Sequence, residues 1–408
     1  GLWIVSGFVV TIYIARALGV ELFGELCYAL AFASIFISLA SMNVEKLVVC
    51  KLIDSPEQRD KVLGSFFLFR LVSCTVVLGV LVVLLAFTDL GKASKILCFL
   101  CACPCLFNSL EGIPAYFKAI GRNAPVAYSQ LLACAVYSGV RLYVAYTGLP
   151  LIYYALGELL LTAVPAFYLL TVYWRRVGSP WRWTLDFGLA RGLFLEALPL
   201  SLYAFFSLLY FRLDVLLLRL YSGEIAVGNY SIGVRITENW NLLGEALINV
   251  LFPLLLVKTL GSRSEFTYSY RLFMRILFYL MCVICVATML LSRPLLALLF
   301  GEEYLPAAEA INIYIWGLPW LVLTQILAYC VAKEGHLAQI AAVMLSSVLL
   351  NCVLNVYVIP YYGMIGAAVV FALSIPVSLV LCLCCTKYGR EQLGHFAVSL
   401  LFLPLRRR

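Results

Sequence analysis

The chain has 408 residues, of which 64% are hydrophobic and only 12% are charged, with a mean hydropathy of +1.01. Soluble domains carry about 25% charged residues, so this composition excludes a soluble protein and indicates a polytopic membrane protein. The net charge of +8 does not indicate nucleic-acid binding, because the basic residues lie in short loops between apolar runs.

Long apolar runs without strict alternation predict an all-α membrane fold of about twelve spanning helices, since about 20 helical residues cross a bilayer. The predicted spans cover residues 1–15, 24–44, 62–87, 94–117, 125–147, 150–174, 193–218, 228–257, 272–299, 307–331, 337–359 and 362–386. Residue 1 is Gly rather than Met, so the first run is interpreted as the remainder of a helix. The apolar run 396–405 is too short to cross, and it is interpreted as an interfacial segment or the remainder of a thirteenth helix.

The distribution of basic residues predicts that both termini lie in the cytoplasm. The loops after even-numbered spans and the tail hold 20 Lys and Arg residues, against 6 in the loops and helix ends on the other side. Cytoplasmic loops carry such an excess of positive charge. The loops on the outer side are all short, so none of them is expected to form an extracytoplasmic domain.

Two halves of six spans are predicted. The predicted domains are an N-lobe (1–174), a basic, aromatic cytoplasmic linker (175–191), a C-lobe (192–386) and a cytoplasmic or interfacial tail (387–408). A weak repeat supports the halves, because AYFKAIGRNAPVAYSQL from Ala115 resembles AYCVAKEGHLAQIAAVM from Ala328 at the end of the fourth span of each half. Transporters built from such repeats hold the substrate between the halves and alternate access to it.

Ionisable residues in spans seven and eight are the main functional signal. An ionised group at membrane depth costs at least about 2.5–3.5 kcal/mol, so it is expected to face a protein interior or a wet cavity. The five residues are Arg212, Asp214, Arg235, Glu238 and Glu245. Together they suggest a polar path through the membrane.

At about 100° per residue, Arg235, Glu238, Glu245 and Asn249 fall within an arc of about 80° on span eight, which Leu242 interrupts. This face is interpreted as lining the cavity. The alternative is that Arg235 and Glu238 form a neutralised i,i+3 pair packed against a neighbouring helix.

Other ionisable residues in the spans have two interpretations each. Asp214 is either a structural group bonded to span eight or part of the path. Arg70 in span three either lines the cavity or snorkels to the interface, and Arg141 and Glu158 share that ambiguity. Glu111 is interpreted as interfacial.

Enzymatic and metal chemistry have little support in the sequence. The 15 cysteines lie in apolar helices and the chain has only two histidines, so the cysteines are interpreted as small hydrophobic side chains. No Walker A motif, G-x-S-x-G motif or metal-spaced histidine cluster is found. No enzyme activity and no cofactor are expected.

Four segments carry a family resemblance. They are IARALGVELFG, FRLDVLLLRLYSGEIAVGNYSIGVRI, AYFKAIGR and YYGMIGAAVVFALS. Taken in their order along the chain, over essentially its whole length, they resemble the polysaccharide transporter family of the MOP (MATE-like) superfamily, which contains flippases for lipid-linked O-antigen and capsule repeat units. Many members have fourteen spans, which leaves a truncation at either end open.

The resemblance implies a protein of the bacterial cytoplasmic membrane that moves undecaprenyl-diphosphate-linked oligosaccharide to the periplasmic leaflet. Related flippases bind the diphosphate through arginines in a central cationic cavity, and the IAR-x-LG pattern places Arg16 at one of these. The predicted substrate-binding set is therefore Arg16, Arg70, Arg212 and Arg235. The carboxylates Asp214, Glu238 and Glu245 either carry coupling H⁺ or Na⁺ or balance the arginines.

Two alternatives stay open at this point. A MATE-type drug or cation antiporter would share the fold but favour a cavity dominated by carboxylates. A membrane polymerase or ligase of polysaccharide assembly would need a sizeable periplasmic loop. The expected partners are the lipid-linked oligosaccharide, membrane lipids and other polysaccharide-assembly proteins, and no nucleic acid.

Overall fold

The computed structural model describes residues 2–41, 44–258, 263–334, 337–384 and 387–400, and within these ranges the chain is helical with no β-strand. The α-helices are α1 (Leu2–Ser41), α2 (Glu45–Asp54), α3 (Arg59–Phe87), α4 (Lys92–Ala102), α5 (Gly112–Ala119), α6 (Ala124–Thr147), α7 (Tyr154–Arg176), α8 (Phe187–Lys258), α9 (Arg263–Leu299), α10 (Ala307–Tyr314), α11 (Leu318–Glu334), α12 (Leu337–Cys384) and α13 (Lys387–Leu400). Short 3₁₀ segments cover Pro56–Gln58, Cys103–Glu111, Leu151–Tyr153, Pro180–Arg182, Glu302–Tyr304 and Ile315–Gly317.

The all-α fold of twelve helical segments is confirmed over the described residues. Helices α1, α8 and α12 each contain two predicted spans, because the chain turns inside them at Gly19, Gly223 and Gly363. These glycines have φ values of 72°, 77° and 54°, a left-handed conformation that residues with a Cβ rarely adopt. The glycines therefore reverse the chain between spans without a long loop.

Seven helical stretches within the described residues are long and apolar enough to cross a membrane. They are Ser6–Ser41, Pro56–Phe87, Lys92–Ala119, Leu151–Arg176, Ser264–Leu299, Ala307–Cys330 and Ala342–Leu381. The first and the last of these contain two predicted spans each. The chain is thus a multi-pass membrane protein.

The fourth span of each half is interrupted in the same way. In the first half the 3₁₀ segment Cys103–Glu111 separates α4 from α5, and in the second half Ile315–Gly317 separates α10 from α11. A cysteine of the preceding span donates to a carbonyl in each break. The two bonds are Cys74 Sγ to Cys105 O at 2.9 Å and Cys285 Sγ to Ile315 O at 3.2 Å. Both interrupted spans are therefore held at the break by a cysteine of the span before them.

The chain divides by packing into two compact units, residues 1–212 and 213–408, so the division falls inside α8. In the first unit α1 packs on α3, α4 and α6, and α6 packs along α7. In the second unit α9 packs on α10 and α11, and α12 packs on both of these and on α13. The lobes 1–174 and 192–386, predicted from the sequence as functional bodies, stay a prediction.

The linker 175–191 is fastened to the start of α3 within the first unit. Thr184 N donates to Asp60 O at 3.2 Å, and Lys61 Nζ lies 2.7 Å from Asp186 Oδ2. Gly64 makes this approach possible, because a Cβ at its position would lie 2.3 Å from Thr184 O. The linker is therefore a packed part of the unit.

The tail helix α13 is tied to α9 in the second unit. Tyr270 Oη donates to Gln392 Oε1 at 3.2 Å, and Arg275 donates to the carbonyls of Val398 and Ser399 at 2.7 and 2.9 Å. Of the predicted apolar run 396–405, only residues 396–400 lie within the described residues, and they continue α13.

Candidate functional site

Arg70 forms a buried ion pair in the first unit. Its side chain is 2% exposed, and its guanidinium pairs with Glu111 Oε2 at the end of the 3₁₀ break. It also donates to Ala40 O at 2.9 Å and lies 5.5 Å from the ring of Phe66. The pair joins α1, α3 and the interrupted fourth span, and a phosphate could reach Arg70 only in competition with Glu111.

A second buried pair lies between α6 and α7. Arg141 Nη2 donates to Glu158 Oε1 at 2.6 Å, and the Arg141 side chain is 4% exposed. Its guanidinium carbon lies 4.7 Å from the Tyr137 ring centre. Gly157 accommodates it, because a Cβ there would lie 2.9 Å from Arg141 Cγ. The two ionisable residues that the sequence left ambiguous are therefore each other's partners.

The other predicted arginines differ in exposure. Arg16 is exposed on α1, three residues before the turn at Gly19. Arg212 is half-buried on α8 at the end of the first unit, and Arg235 is half-buried further along the same helix. Of the predicted arginines in the first unit, Arg70 is the one with a described carboxylate partner, Glu111.

Asp214 is the centre of a buried polar cluster in the second unit. Its side chain is 1% exposed, and it accepts hydrogen bonds from Tyr230 Oη and Asn355 Nδ2, each at 2.6 Å. Asn355 Nδ2 also donates to Asn351 Oδ1 at 3.0 Å. Tyr230 belongs to predicted span eight, so this is the bond that the structural interpretation of Asp214 requires.

The cluster retains an unused polar atom. Asn355 Oδ1 is buried without a hydrogen-bond partner. A buried polar atom without a partner is costly, and a bound group that donates to it or is coordinated by it would remove that cost. Carboxylate, amide and hydroxyl oxygens are the ligands that hard cations prefer. In the described residues no group of three or more His, Cys, Asp and Glu could hold a metal, so any ion here would depend on one carboxylate and neutral oxygens.

The polar stripe of span eight is divided between a helix contact and an exposed face. Asn241 Oδ1 accepts from Gln325 Nε2 of α11 at 3.2 Å, and Tyr329 Oη of the same helix donates to Asn249 Oδ1. Arg235 and Glu238 are half-buried, whereas Glu245 is exposed. The asparagines therefore attach α8 to α11.

Sequence reasoning missed three members of the buried cluster, Tyr230, Asn351 and Asn355. A signal was available, because the two asparagines stand four residues apart in an otherwise apolar span and so share one helix face. Their partner Asp214 lies 141 positions away from Asn355, a distance that periodicity within one helix cannot bridge.

Comparisons with known proteins bear on the family and on the fold of the chain. The family described as polysaccharide biosynthesis protein matches residues 4–260. No curated protein matches the chain.

Several solved structures share the fold. A structure of the lipid II flippase MurJ in an inward-closed conformation has a TM-score of 0.71 at 15% identity, covering 98% of this chain and 90% of that one. An inward-facing MATE-family multidrug resistance transporter of the MOP superfamily has a TM-score of 0.61 at 14% identity, covering 96% and 94%. A MATE transporter of Vibrio cholerae has a TM-score of 0.60 at 12% identity, covering 98% and 94%. At these identities the likeness shows the fold, which is that of MOP-superfamily transporters.

Proposed function

The chain belongs to the polysaccharide biosynthesis protein family, and on this premise we propose that it is a flippase for lipid-linked oligosaccharide. The substrate is an undecaprenyl-diphosphate-linked repeat unit of O-antigen or capsule, moved from the cytoplasmic to the periplasmic leaflet of the bacterial inner membrane. It is a transporter and carries out no covalent chemistry on the substrate.

The observation that carries the proposal is the family match taken with the whole-chain likeness to a lipid II flippase. Lipid II is a lipid-linked sugar, and it shares with an O-antigen precursor an anionic headgroup, a polar glycan and a long apolar tail. A likeness to multidrug transporters of the same superfamily makes a drug or cation antiporter the second candidate.

Arginine side chains supply the recognition chemistry for such a headgroup. A guanidinium can donate two parallel hydrogen bonds to a phosphate, and it stays charged in a poorly hydrated site. Arg16 is exposed and Arg212 and Arg235 are half-buried, so part of each side chain is accessible. Arg70 joins this set only in a state in which it has left Glu111.

The carboxylates supply candidate coupling groups. Asp214, with the oxygens of Tyr230, Asn351 and Asn355, forms a buried site for H⁺ or Na⁺. Glu245 is exposed on α8 within predicted span eight, and an exposed carboxylate at membrane depth requires water or a partner. We assign Glu238 and Glu245 to the polar path and Asp214 to ion coupling, with the lobes 1–174 and 192–386 rocking to alternate access.

The test is complementation of a bacterial strain that lacks its own O-antigen flippase, scored by surface polysaccharide in several glycan backgrounds. We expect the wild type to restore surface glycan in at least one background. Arg16→Ala, Arg235→Ala and Asp214→Asn, expressed to the same level, should not. Arg122→Ala, which removes an exposed arginine from a predicted cytoplasmic loop, is the matched control and should complement.

One outcome would contradict the flippase proposal, and another would contradict only the assigned arginine site. If the wild type fails in every background but raises resistance to cationic drugs, the chain is an antiporter of the same fold. If it complements and the two arginine variants complement equally well, the flippase activity stands and the cationic site lies elsewhere.

A further inference from the structure

A groove of about 730 Å³ runs along α7 in the first unit. This volume lies within the range of about 300–1,000 Å³ typical of sites that hold small ligands. The lining residues are Phe107, Leu132, Leu159, Leu160, Ala163, Val164, Phe167, Tyr168, Thr171, Val172, Arg175 and Arg176. Ten of these twelve belong to α7, and the ten lining residues that precede Arg175 along the chain carry no charged side chain.

The α7 residues form one continuous stripe. They occur as adjacent pairs repeated every four positions, from 159 and 160 to 175 and 176, which is the spacing of one helix face. The apolar part from Leu159 to Val172 covers about 20 Å at 1.5 Å per residue. One leaflet of the hydrocarbon core is about 15 Å deep, half of about 30 Å. The stripe is therefore long enough to hold an extended acyl chain through a whole leaflet.

The groove ends in two adjacent arginines. Arg175 and Arg176 are exposed and occupy the last turn of α7. Trp174, directly before them, is 62% exposed. Tryptophan is enriched where the membrane meets water, so this end lies at the level of the lipid headgroups. The distribution of basic loops places that level on the cytoplasmic side.

We propose that this groove binds an anionic phospholipid of the cytoplasmic leaflet, with an acyl chain along the apolar stripe and the headgroup phosphate at Arg175 and Arg176. The charge complementarity is specific, because the groove's only ionised residues are two cations at the end where a phosphate would lie. Arginines at membrane surfaces attract anionic lipids, and guanidinium groups bind phosphate oxygens in a bidentate manner. The proposal does not depend on which substrate the protein transports.

The experiment is native mass spectrometry of the purified, delipidated full chain. Dioleoylphosphatidylglycerol and dioleoylphosphatidylcholine, which share the same acyl chains, are titrated separately. We expect the anionic lipid to bind more tightly by roughly tenfold or more, as two basic residues at a membrane surface would produce. The double variant Arg175→Gln/Arg176→Gln should lose that preference.

A second test variant blocks the groove, and two control variants make the same chemical changes outside it. Arg122→Gln/Arg390→Gln removes two exposed arginines outside the groove and should keep the preference. Leu160→Trp fills the groove and should weaken binding of both lipids. Val83→Trp places the same ring on an exposed site of α3 and should not. If Leu160→Trp does not fold, the test rests on the lipid preference of the two arginine double variants.

Three results would overturn the proposal. Equal binding of the two lipids by the wild type would mean that only non-specific surrounding lipid is held. An unchanged preference in Arg175→Gln/Arg176→Gln would place the anionic site elsewhere. Tighter binding of undecaprenyl phosphate than of phosphatidylglycerol, lost in the same variant, would assign the groove to the substrate's lipid carrier instead.

Discussion

The Arg70–Glu111 pair can be tested against the second half of the same chain. Arg70 stands four residues before Cys74, and Glu111 six residues after Cys105. The same steps from Cys285 and Ile315 lead to Met281 and Leu321, which are 0% and 4% exposed. The second half thus has two buried apolar side chains where the first half has an ion pair. The double substitution Arg70→Met/Glu111→Leu gives the first half the two apolar side chains found at these steps in the second half.

The magnitudes follow from the burial of each partner. Glu111→Leu leaves an arginine that is 2% exposed without its carboxylate, and breaking a buried pair in this way costs about 3–5 kcal/mol. Arg70→Met leaves a carboxylate whose side chain is 36% exposed and can still reach water, so its cost is smaller, about 1–3 kcal/mol. The double variant removes both charges, and replacement of a buried pair by apolar residues is close to neutral.

Unfolding free energies of the wild type, both single variants and the double variant, measured by titration with a denaturing detergent, give the coupling energy. We expect the double variant to be more stable than Glu111→Leu by about 2 kcal/mol or more. The control is the exposed pair Lys118–Glu45, whose exchange for Met and Leu should show a coupling below about 1 kcal/mol.

A double variant that loses as much stability as the two single variants combined would refute this reasoning. If the double variant is stable, its transport activity tests whether Arg70 belongs to the substrate-binding set. A stable, active double variant would remove Arg70 from the substrate-binding set. A stable, inactive one would support its place there.

Three further predictions concern backbone and linker. Gly64→Ala should displace the linker from α3 and lower the unfolding free energy by about 1–3 kcal/mol, because the added Cβ would overlap Thr184 O. Trypsin should then cleave within 175–191 more rapidly. Gly223→Ala should cost about 1–2 kcal/mol of unfolding free energy through its φ of 77° alone, since no atom lies within 4 Å, whereas Gly139→Ala at an equally open helical site should be neutral or stabilising. The hydrogen bond from Lys61 holds the pKa of Asp186 below its ordinary value, so the folded state favours the carboxylate. Linker docking is then complete above the pKa of Asp186 in the unfolded state, and it is lost as the pH falls through the lower pKa of Asp186 in the folded state. Cleavage of the linker by a protease active in acid should therefore rise in a step as the pH is lowered, and Asp186→Asn should abolish that step.

Much of the fold follows from the sequence because membrane spans are a local property. About twenty apolar residues with charges at the ends predict a span regardless of its neighbours, and most of the twelve segments follow from that rule. The turns at Gly19, Gly223 and Gly363 do not, because a positive φ is a property of the backbone that composition does not reveal. The sequence therefore predicts the helical spans but does not predict the glycine turns that connect them.

Local sequence patterns could not predict which buried charged residues pair with each other, for a different reason. Arg70 and Glu111 are 41 positions apart, and Arg141 and Glu158 are 17 apart. Each residue alone predicts only that it needs a partner or water. Which carboxylate serves which arginine depends on how the spans pack, and the same residue composition would permit other pairings.

The two halves repeat in backbone and differ in where they bury charge. Both interrupt the fourth span and both use a cysteine to bind the break, so these features are explained by the shared fold. The first half buries two arginine–carboxylate pairs, whereas the second buries a lone carboxylate among neutral amides and a tyrosine. A paired carboxylate is neutralised by its arginine, whereas the side chains that donate hydrogen bonds to Asp214 in the described residues are neutral, so its charge can be balanced by a proton or a metal ion. This difference between the halves is the reason that we propose ion coupling in the second half, at a position that the repeat alone would not distinguish.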